Sequence, residues 1–359
     1  MNSNMKKFLV IGIGILVVFS VMPVFLAKAV YYPPTYIGHV YDRNGRAISN
    51  VLVTLYSGGY PVSTDYTDSS GYYCVGNDGV SSPYITITKT QWVTQTKSVS
   101  TSGGTYNFYL YTSGCALIVA GSLDQVFNRD AYEMYNLLID HYSYAESRIF
   151  LLTALATIDG KTIPYDRVIS QANVGWACDQ IDALTGTSDN VMVYWRSHGI
   201  EHPHFWFWDP PTYYTLECGN DEMTRSELDS YLDGVPCNKL LVMIGSCYSG
   251  YFIGNVMSDE SNRAILTSSA SNQISFNDGR NGNWSKGLTQ ALDPDLYATN
   301  ADGNSDGRVS VMEFRGYAYT YVVATNPIYY NGVYYYQNPQ SWVGSSFTIS
   351  SVYLGDQYY

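Results

Sequence analysis

Two short apolar runs limit most strongly what this chain can fold into: "NVMVYW" at 190–195 and "KLLVMI" at 239–244. Neither alternates apolar with polar residues. A strand that is apolar on both faces belongs in a sheet covered on both sides, which in practice means a parallel one. The surrounding sequence keeps the matching rhythm. "ALIVAGS" (116–122) and "RIFLLTA" (148–154) are further strand-like runs, and between them "RDAYEMYNLLIDHY" (129–142) places Ala131, Met134 and Leu138 on one helical face. A second helix is expected over 164–184, opening at Pro164, and a third at "TRSELDSYL" (224–232), where Thr224 and Glu227 form a capping box. Strands alternating with helices predict a mainly parallel α/β sheet between two helical layers.

In such sheets ligands bind beyond the carboxyl ends of the strands. Both runs end in residues able to do chemistry there: "SHGIEH" (197–202) follows the first and "GSCYSG" (245–250) the second. His198 and Cys247 stand 247 − 198 = 49 positions apart, a separation that neighbouring parallel strands close. A thiolate is the attacking species, an imidazole exchanges protons near neutral pH, and backbone amides in a tight turn stabilise an oxyanion. Gly199, and the pair Gly245-Ser246, let a peptide backbone come close. Taken singly, a strand-end His is commonly structural and a buried Cys inert; their joint placement points to a nucleophile and its base.

Residues 36–112 read differently. Short runs such as "AISNVLVTLYS" alternate with period two and break at turn residues, which predicts a small antiparallel β-sandwich ahead of the α/β unit. With 36 tyrosines and only 14% charged residues, the composition favours extended amphipathic surfaces. The first 29 residues have a basic start at Lys6 and Lys7, an apolar run from Phe8 to Leu26 and an Ala27-Lys28-Ala29 cleavage site, so export is expected, with an uncleaved N-terminal anchor as the alternative. The net charge is −12; the leader carries three lysines and no acids, so cleavage leaves −12 − 3 = −15. That balance argues against a nucleic-acid partner, whose phosphates need a basic stripe. Six cysteines in an exported chain are free to form disulfides, and Cys218–Cys237 and Cys74–Cys115 are near enough in sequence to be considered.

A second constellation lies at "DGNSDGRVSVME" (302–313). Asp302, Asn304, Asp306, the Arg308 carbonyl position, Ser310 and Glu313 fall at the spacing of a calcium-binding EF-hand loop, with Gly307 at the sharp turn. A single structural Ca2+ loop is expected. A zinc reading of His198, His202 and His204 is disfavoured, because Pro203 prevents helical presentation and no Cys stands at ligand spacing. Asn283-Trp284-Ser285 is a glycosylation sequon.

"DNVMVYWRSHG" (189–199) and "NKLLVMIGSCYSG" (238–250) resemble the two active-site strands of legumain and, more distantly, of caspases, gingipains and clostripain. "ALIVAGS" with "NRDAYEMYNLL", "AILTSSASNQISF" (264–276) and "YYYQNPQ" (334–340) are similar to further legumain segments. The resemblance implies a caspase-like three-layer α/β/α fold over 113–345 and a cysteine endopeptidase acting on peptide or protein substrates. It implies Cys247 as nucleophile, His198 as proton carrier, and the amides of Gly199 and Cys247 as oxyanion donors. Ser275 would line the specificity pocket beside Asp278. Two departures stand out. Gly245-Ser246 replaces the caspase Gln-Ala, and the legumain Asn-x-Arg has become Asn128-Arg129, which leaves the third, orienting residue unassigned and Arg129 as a pocket candidate. A cation in the pocket favours Asn or Asp at the cleavage position. Gly38, Val40, Asp42, Gly45, Val51, Thr67, Asp68 and Gly71 resemble the carboxypeptidase-regulatory-like, transthyretin-type sandwich, giving a module over 30–112, and 346–359 is expected as a tail. The alternatives are a non-catalytic surface-binding scaffold and a peptidase confined to self-processing or transpeptidation.

Overall fold

The computed structural model describes residues 34–354 apart from 77–78, 205–210, 294, 296–300, 307 and 331. The expected export segment and Gly307 lie outside the described residues. Among the described residues no helix is long and apolar enough to cross a membrane.

Among the described residues the N-terminal part has eight strands: β1 (Thr35–Asp42), β2 (Leu52–Ser57), β3 (Tyr60–Tyr66), β4 (Tyr72–Gly76), β5 (Tyr84–Thr88), β6 (Gln95–Ser98), β7 (Gly104–Thr105) and β8 (Phe108–Leu110). They form two facing sheets, β4-β1-β7 with β8 also on β1, and β3-β2-β5-β6. The period-two alternation explains the core: Tyr36, Val40, Val53, Leu55, Ile85 and Ile87 turn inward and are fully buried. The turn after β1 has a second task. Asp42 is buried and its carboxylate accepts from the amides of Asn44 and Arg46 and from the Arg46 Nε at 2.7 Å, which fixes the turn. The turn docks on the second domain: Arg43 reaches Glu146 at 2.9 Å, Arg46 donates to the His141 carbonyl, and Asn44 donates to the Asp140 carbonyl.

The second domain contains β9 (Cys115–Ala120), β10 (Ile149–Thr153), a small hairpin of β11 (Thr157–Ile158) and β12 (Lys161–Thr162), β13 (Arg167–Val168), β14 (Asn190–Arg196), β15 (Gly199–His202), β16 (Tyr213–Cys218), β17 (Asp221–Met223), β18 (Lys239–Gly245), β19 (Arg263–Thr267), a hairpin of β20 (Ile328–Tyr330) and β21 (Val333–Tyr335), and β22 (Gln340–Val343). Its helices are α1 (Gln125–Tyr142), α2 (Gln171–Leu184), α3 (Arg225–Leu232), α4 (Asn283–Leu292) and α5 (Val311–Thr325). The main sheet runs β13-β10-β9-β14-β18-β19-β22, parallel except for its last pair. Alternate residues of one strand serve opposite layers. Ile118 and Tyr194 pack with Met134 of α1, Leu288 of α4 and Phe314 of α5, whereas Leu117, Val193 and Trp195 pack with Val174 of α2 and Leu228 of α3. Each such side chain contributes roughly 1.5–3 kcal/mol of burial, so the unbroken apolar runs account for a sheet covered on both faces.

Two expectations are corrected, and one open question is answered. The helix read from Pro164 begins at Gln171, because Ser170 caps it by accepting from the Asn173 amide, and Arg167–Val168 adds an edge strand to β10 instead. Residues 346–354 are not a tail: Phe347, Val352 and Leu354 are buried against the α4–α5 layer, and the Val311 amide donates to the Val352 carbonyl. All six cysteines are free thiols, so neither candidate pairing is formed.

Candidate active site

The carboxyl ends of β14 and β18 are adjacent, with Arg196 in register with Gly245. His198 and Cys247 therefore emerge side by side and line one cavity of about 110 Å³. Two glycines make this possible. A Cβ on Gly199 would fall 1.9 Å from the Cys247 carbonyl oxygen, and one on Gly245 would strike the Arg196 guanidinium. Below the turn, Ser246 offers its carbonyl to the hydroxyls of Ser268 and Ser269 at 3.1 and 3.0 Å, and the Ser249 hydroxyl bonds both. This serine network fixes the backbone that carries the thiol. Tyr248, in the left-handed conformation at φ 57°, turns the chain sharply after it.

The Cys247 sulfur accepts from the Ser275 amide at 3.4 Å. Burial pushes the thiol above its usual range, and the Ser275 amide, the Arg196 charge and the amides of Cys247 and Gly199 pull against that. His198 is half exposed, and its Nε2 lies 2.8 Å from Asp124 Oδ2, with the Phe127 ring edge-on at 4.8 Å. Its ring nitrogen is engaged by Asp124, not by the thiol.

Asp124 was not singled out in the sequence. Its signal was its place just past the carboxyl end of β9, the strand beside β14, which is where the same positional rule puts ligands. Asn128 holds this loop from behind: it is buried, donates to the carbonyls of Ser122 and Asp124, and accepts from Thr153. Arg129 does not line the thiol cavity. Asp159 grips its guanidinium through two bonds of 3.1 and 2.7 Å, and its Nη1 donates to the Arg280 carbonyl. The cation that does line the cavity is Arg196, only 2% exposed, with Nε on Asp130 at 2.8 Å, Nη1 on the Gly245 carbonyl and its guanidinium over the Phe127 ring.

Ser275 lines the cavity, and Gln337, fully buried, ties the segment down by donating to the Ser275 hydroxyl and the Ser268 carbonyl and accepting from the Phe276 amide. Asp278 faces elsewhere, paired with Lys286 at 2.7 Å. Its burial alone would raise the carboxyl, but the amides of Asn281 and Arg280 and the Lys286 charge bring it down to about 2. His202 lies on the opposite face of β15 from Gly199, stacked on Tyr213 and bonded to Glu222 at 2.7 Å.

In the loop 302–313, Glu313 caps α5 by accepting from the Ser310 amide and hydroxyl, and also accepts from the Asn304 amide. Asp302 and Asp306 lie on the same side, the Asp306 amide donating to Asp302 at 3.2 Å. The donor set is the all-oxygen one that calcium prefers. Among the described residues, however, the group of carboxylates and imidazoles drawn within 4.8 Å is His141, Asp293 and Asp295, not these. Asn283 of the sequon is buried at the start of α4, so it is closed to a glycan in the folded chain.

These features define the class: an α/β/α domain whose carboxyl-end site centres on a cysteine with a histidine beside it. Residues 171–292 match the model of the Peptidase C13 family, which supports a cysteine peptidase in general. No curated protein matches the chain. Among solved structures, protein GSU0716 from Geobacter sulfurreducens is similar at 16% identity and a TM-score of 0.48, over 68% of this chain and 99% of that one. Caspase-1 from Spodoptera frugiperda is similar at 12% identity and a TM-score of 0.43, over 68% and 90%.

Proposed function

We propose that the chain is a cysteine endopeptidase in which Cys247 attacks a peptide carbonyl and His198 manages the protons. The observation that carries this reading is the one cavity that His198 and Cys247 both line, in which the sulfur accepts from the Ser275 amide while His198 is held by Asp124. The raised thiol is protonated at neutral pH, so His198 takes its proton as the substrate arrives. The S–C bond forms, the amides of Gly199 and Cys247 hold the oxyanion, and the C–N bond breaks as His198 delivers the proton to the leaving nitrogen. Water then attacks the thioester and frees the thiol.

At the cleavage position we infer Asn or Asp. The support is Arg196 with Ser275 and Asn277 around a cavity sized for a short polar side chain, in place of the Arg129 first considered. The leader at 1–29 assigns the protein to the cell exterior, released or held by that segment. Calcium at 302–313 is part of the same reading. Asp302, Asn304, Asp306, Ser310, Glu313 and the Arg308 carbonyl would hold it, supplying a structural cross-link at the start of α5.

The test is hydrolysis of a fluorogenic peptide library varied at the cleavage position, by the chain lacking residues 1–29 and by its Cys247→Ala variant, with and without calcium. Turnover lost in the variant, with Asn or Asp preferred, supports the reading. No turnover by either, and no labelling of Cys247 by an acyloxymethyl ketone, overturns it in favour of a binding scaffold. Unchanged thermal stability on adding millimolar calcium removes the metal from it.

A further inference from the structure

The thiol cavity has two flanks. One is the Ser275–Asn277 segment. The other is Ser197–His198, which runs on into Gly199, where an added Cβ would meet the Cys247 backbone. Alternation along β15 sends the Glu201 side chain to the same face. Its cross-strand partner is Tyr214, whose hydroxyl is 3.5 Å from Glu201 Oε1. The Tyr214 ring stacks at 4.7 Å on Tyr248, the residue after the nucleophile, and meets Tyr251 edge-on at 5.2 Å. A shelf of three tyrosine rings topped by an exposed carboxylate therefore runs from the nucleophile out along β15. Arg225 lies over the Tyr251 ring at 4.4 Å and donates to the Tyr251 carbonyl.

The direction of a bound substrate follows from the chemistry. The leaving nitrogen must be the one within reach of His198, so the peptide beyond the scissile bond runs over the strand that starts at Gly199. We propose that Glu201, Tyr214 and Tyr248 form the leaving-group subsite and select a cationic side chain, lysine or arginine, in the first two positions after the scissile bond. The carboxylate pairs with the ammonium or guanidinium head, and the tyrosine faces take the aliphatic stem and a cation–π contact. This inference rests on the peptidase reading and adds to it the half of the substrate which that reading leaves open.

The experiment uses the full chain and internally quenched peptides that share one acyl side and carry Lys, Leu or Glu at both positions after the scissile bond. The expected kcat/KM order is Lys, then Leu, then Glu, with Lys favoured over Leu by roughly fivefold at low salt, as one half-exposed ion pair supplies. The preference should shrink when ionic strength shortens the Debye length to about 3 Å. Glu201→Gln should flatten the Lys-to-Glu ratio and Glu201→Lys should invert it, an inversion that a purely structural role for Glu201 does not produce. An unchanged ratio in both variants, or a wild-type preference for Glu, overturns the subsite while leaving the peptidase intact. Absence of cleavage of all three peptides overturns both.

Discussion

Two arginines in this domain have the same chemistry and opposite addresses. Arg196 ends β14 at the carboxyl edge of the sheet, and Arg263 begins β19 at the amino edge. Both are fully buried in the main sheet and bonded to helix carboxylates: Arg196 to Asp130 of α1, and Arg263 to Asp229 and to the Asp233 that follows α3. Arg196 sits in the thiol cavity and its charge pulls on Cys247; Arg263 fastens a helix to the sheet at the other edge, where its charge acts on the Cys237 thiol instead. The difference teaches that burial and pairing do not by themselves mark a functional arginine. The strand end it occupies does. Burial, helped by the like charges of Asp233 and Asp259, leaves the Asp229 carboxyl raised even with the Arg263 guanidinium bonded to it. Burying such a pair costs desolvation that its attraction must offset.

The largest expected effects break that comparison directly. Arg263→Ala and Arg196→Ala should each cost roughly 3–5 kcal/mol of unfolding free energy, because each strands a buried carboxylate, as denaturant titration will show. Replacing Arg263 and Asp229 together by Met and Leu should recover most of the loss. The two sites separate in the pH dependence of Cys247 alkylation. Removing Arg196 takes away a charge that lowers the thiol, so the rise in alkylation should move to higher pH, and removing Arg263 should leave it in place. Equal profiles for the two variants would make Arg196 merely structural.

Next in size is Asp124→Asn. The amide can still bond the His198 Nε2 but cannot stabilise the imidazolium that forms when the thiol gives up its proton. Kcat should fall by roughly 10–100-fold with KM little changed, less than the ~10⁴ found for a fully buried aspartate in a triad, because this pair is about half exposed. The alkaline limb of the kcat/KM profile, set by the thiol, should stay. An unchanged kcat, or a shift in KM alone, would remove Asp124 from His198's support.

What the sequence made legible follows from range. His198, Cys247 and the Thr224–Glu227 cap each depend on a strand or helix end that local pattern marks, and the structure has both strand ends and the capping box. The partner of His198 was not legible, since 74 positions separate it from Asp124 and only the packing of β9 beside β14 joins them. Arg129 misled for the converse reason. A helix start beside a known pocket position looked like a pocket, but the direction of its side chain is set by Asp159 on a hairpin that no periodicity announced. The burial of Phe347, Val352 and Leu354 was likewise invisible, because three apolar residues spread through a polar stretch have no period until α5 is there to cover them.

The smallest effect concerns Asp278, which the resemblance placed near the pocket and the structure pairs with Lys286. Its carboxyl sits at about 2, below the ordinary aspartate value. A depressed carboxylate contributes stability that is fully present above its unfolded value near 4 and is lost as pH falls through its folded value, so the window is about pH 4 to 2. The side chain is 35% exposed, so solvent screening holds the contribution below roughly 1 kcal/mol. Asp278→Asn should therefore lower the thermal midpoint slightly at neutral pH, and the gap from wild type should close on acidification through that window. If the variant instead changes the ratio of Asn to basic residues accepted at the cleavage position, Asp278 reaches the substrate after all, and Lys286 is a partner it leaves on binding.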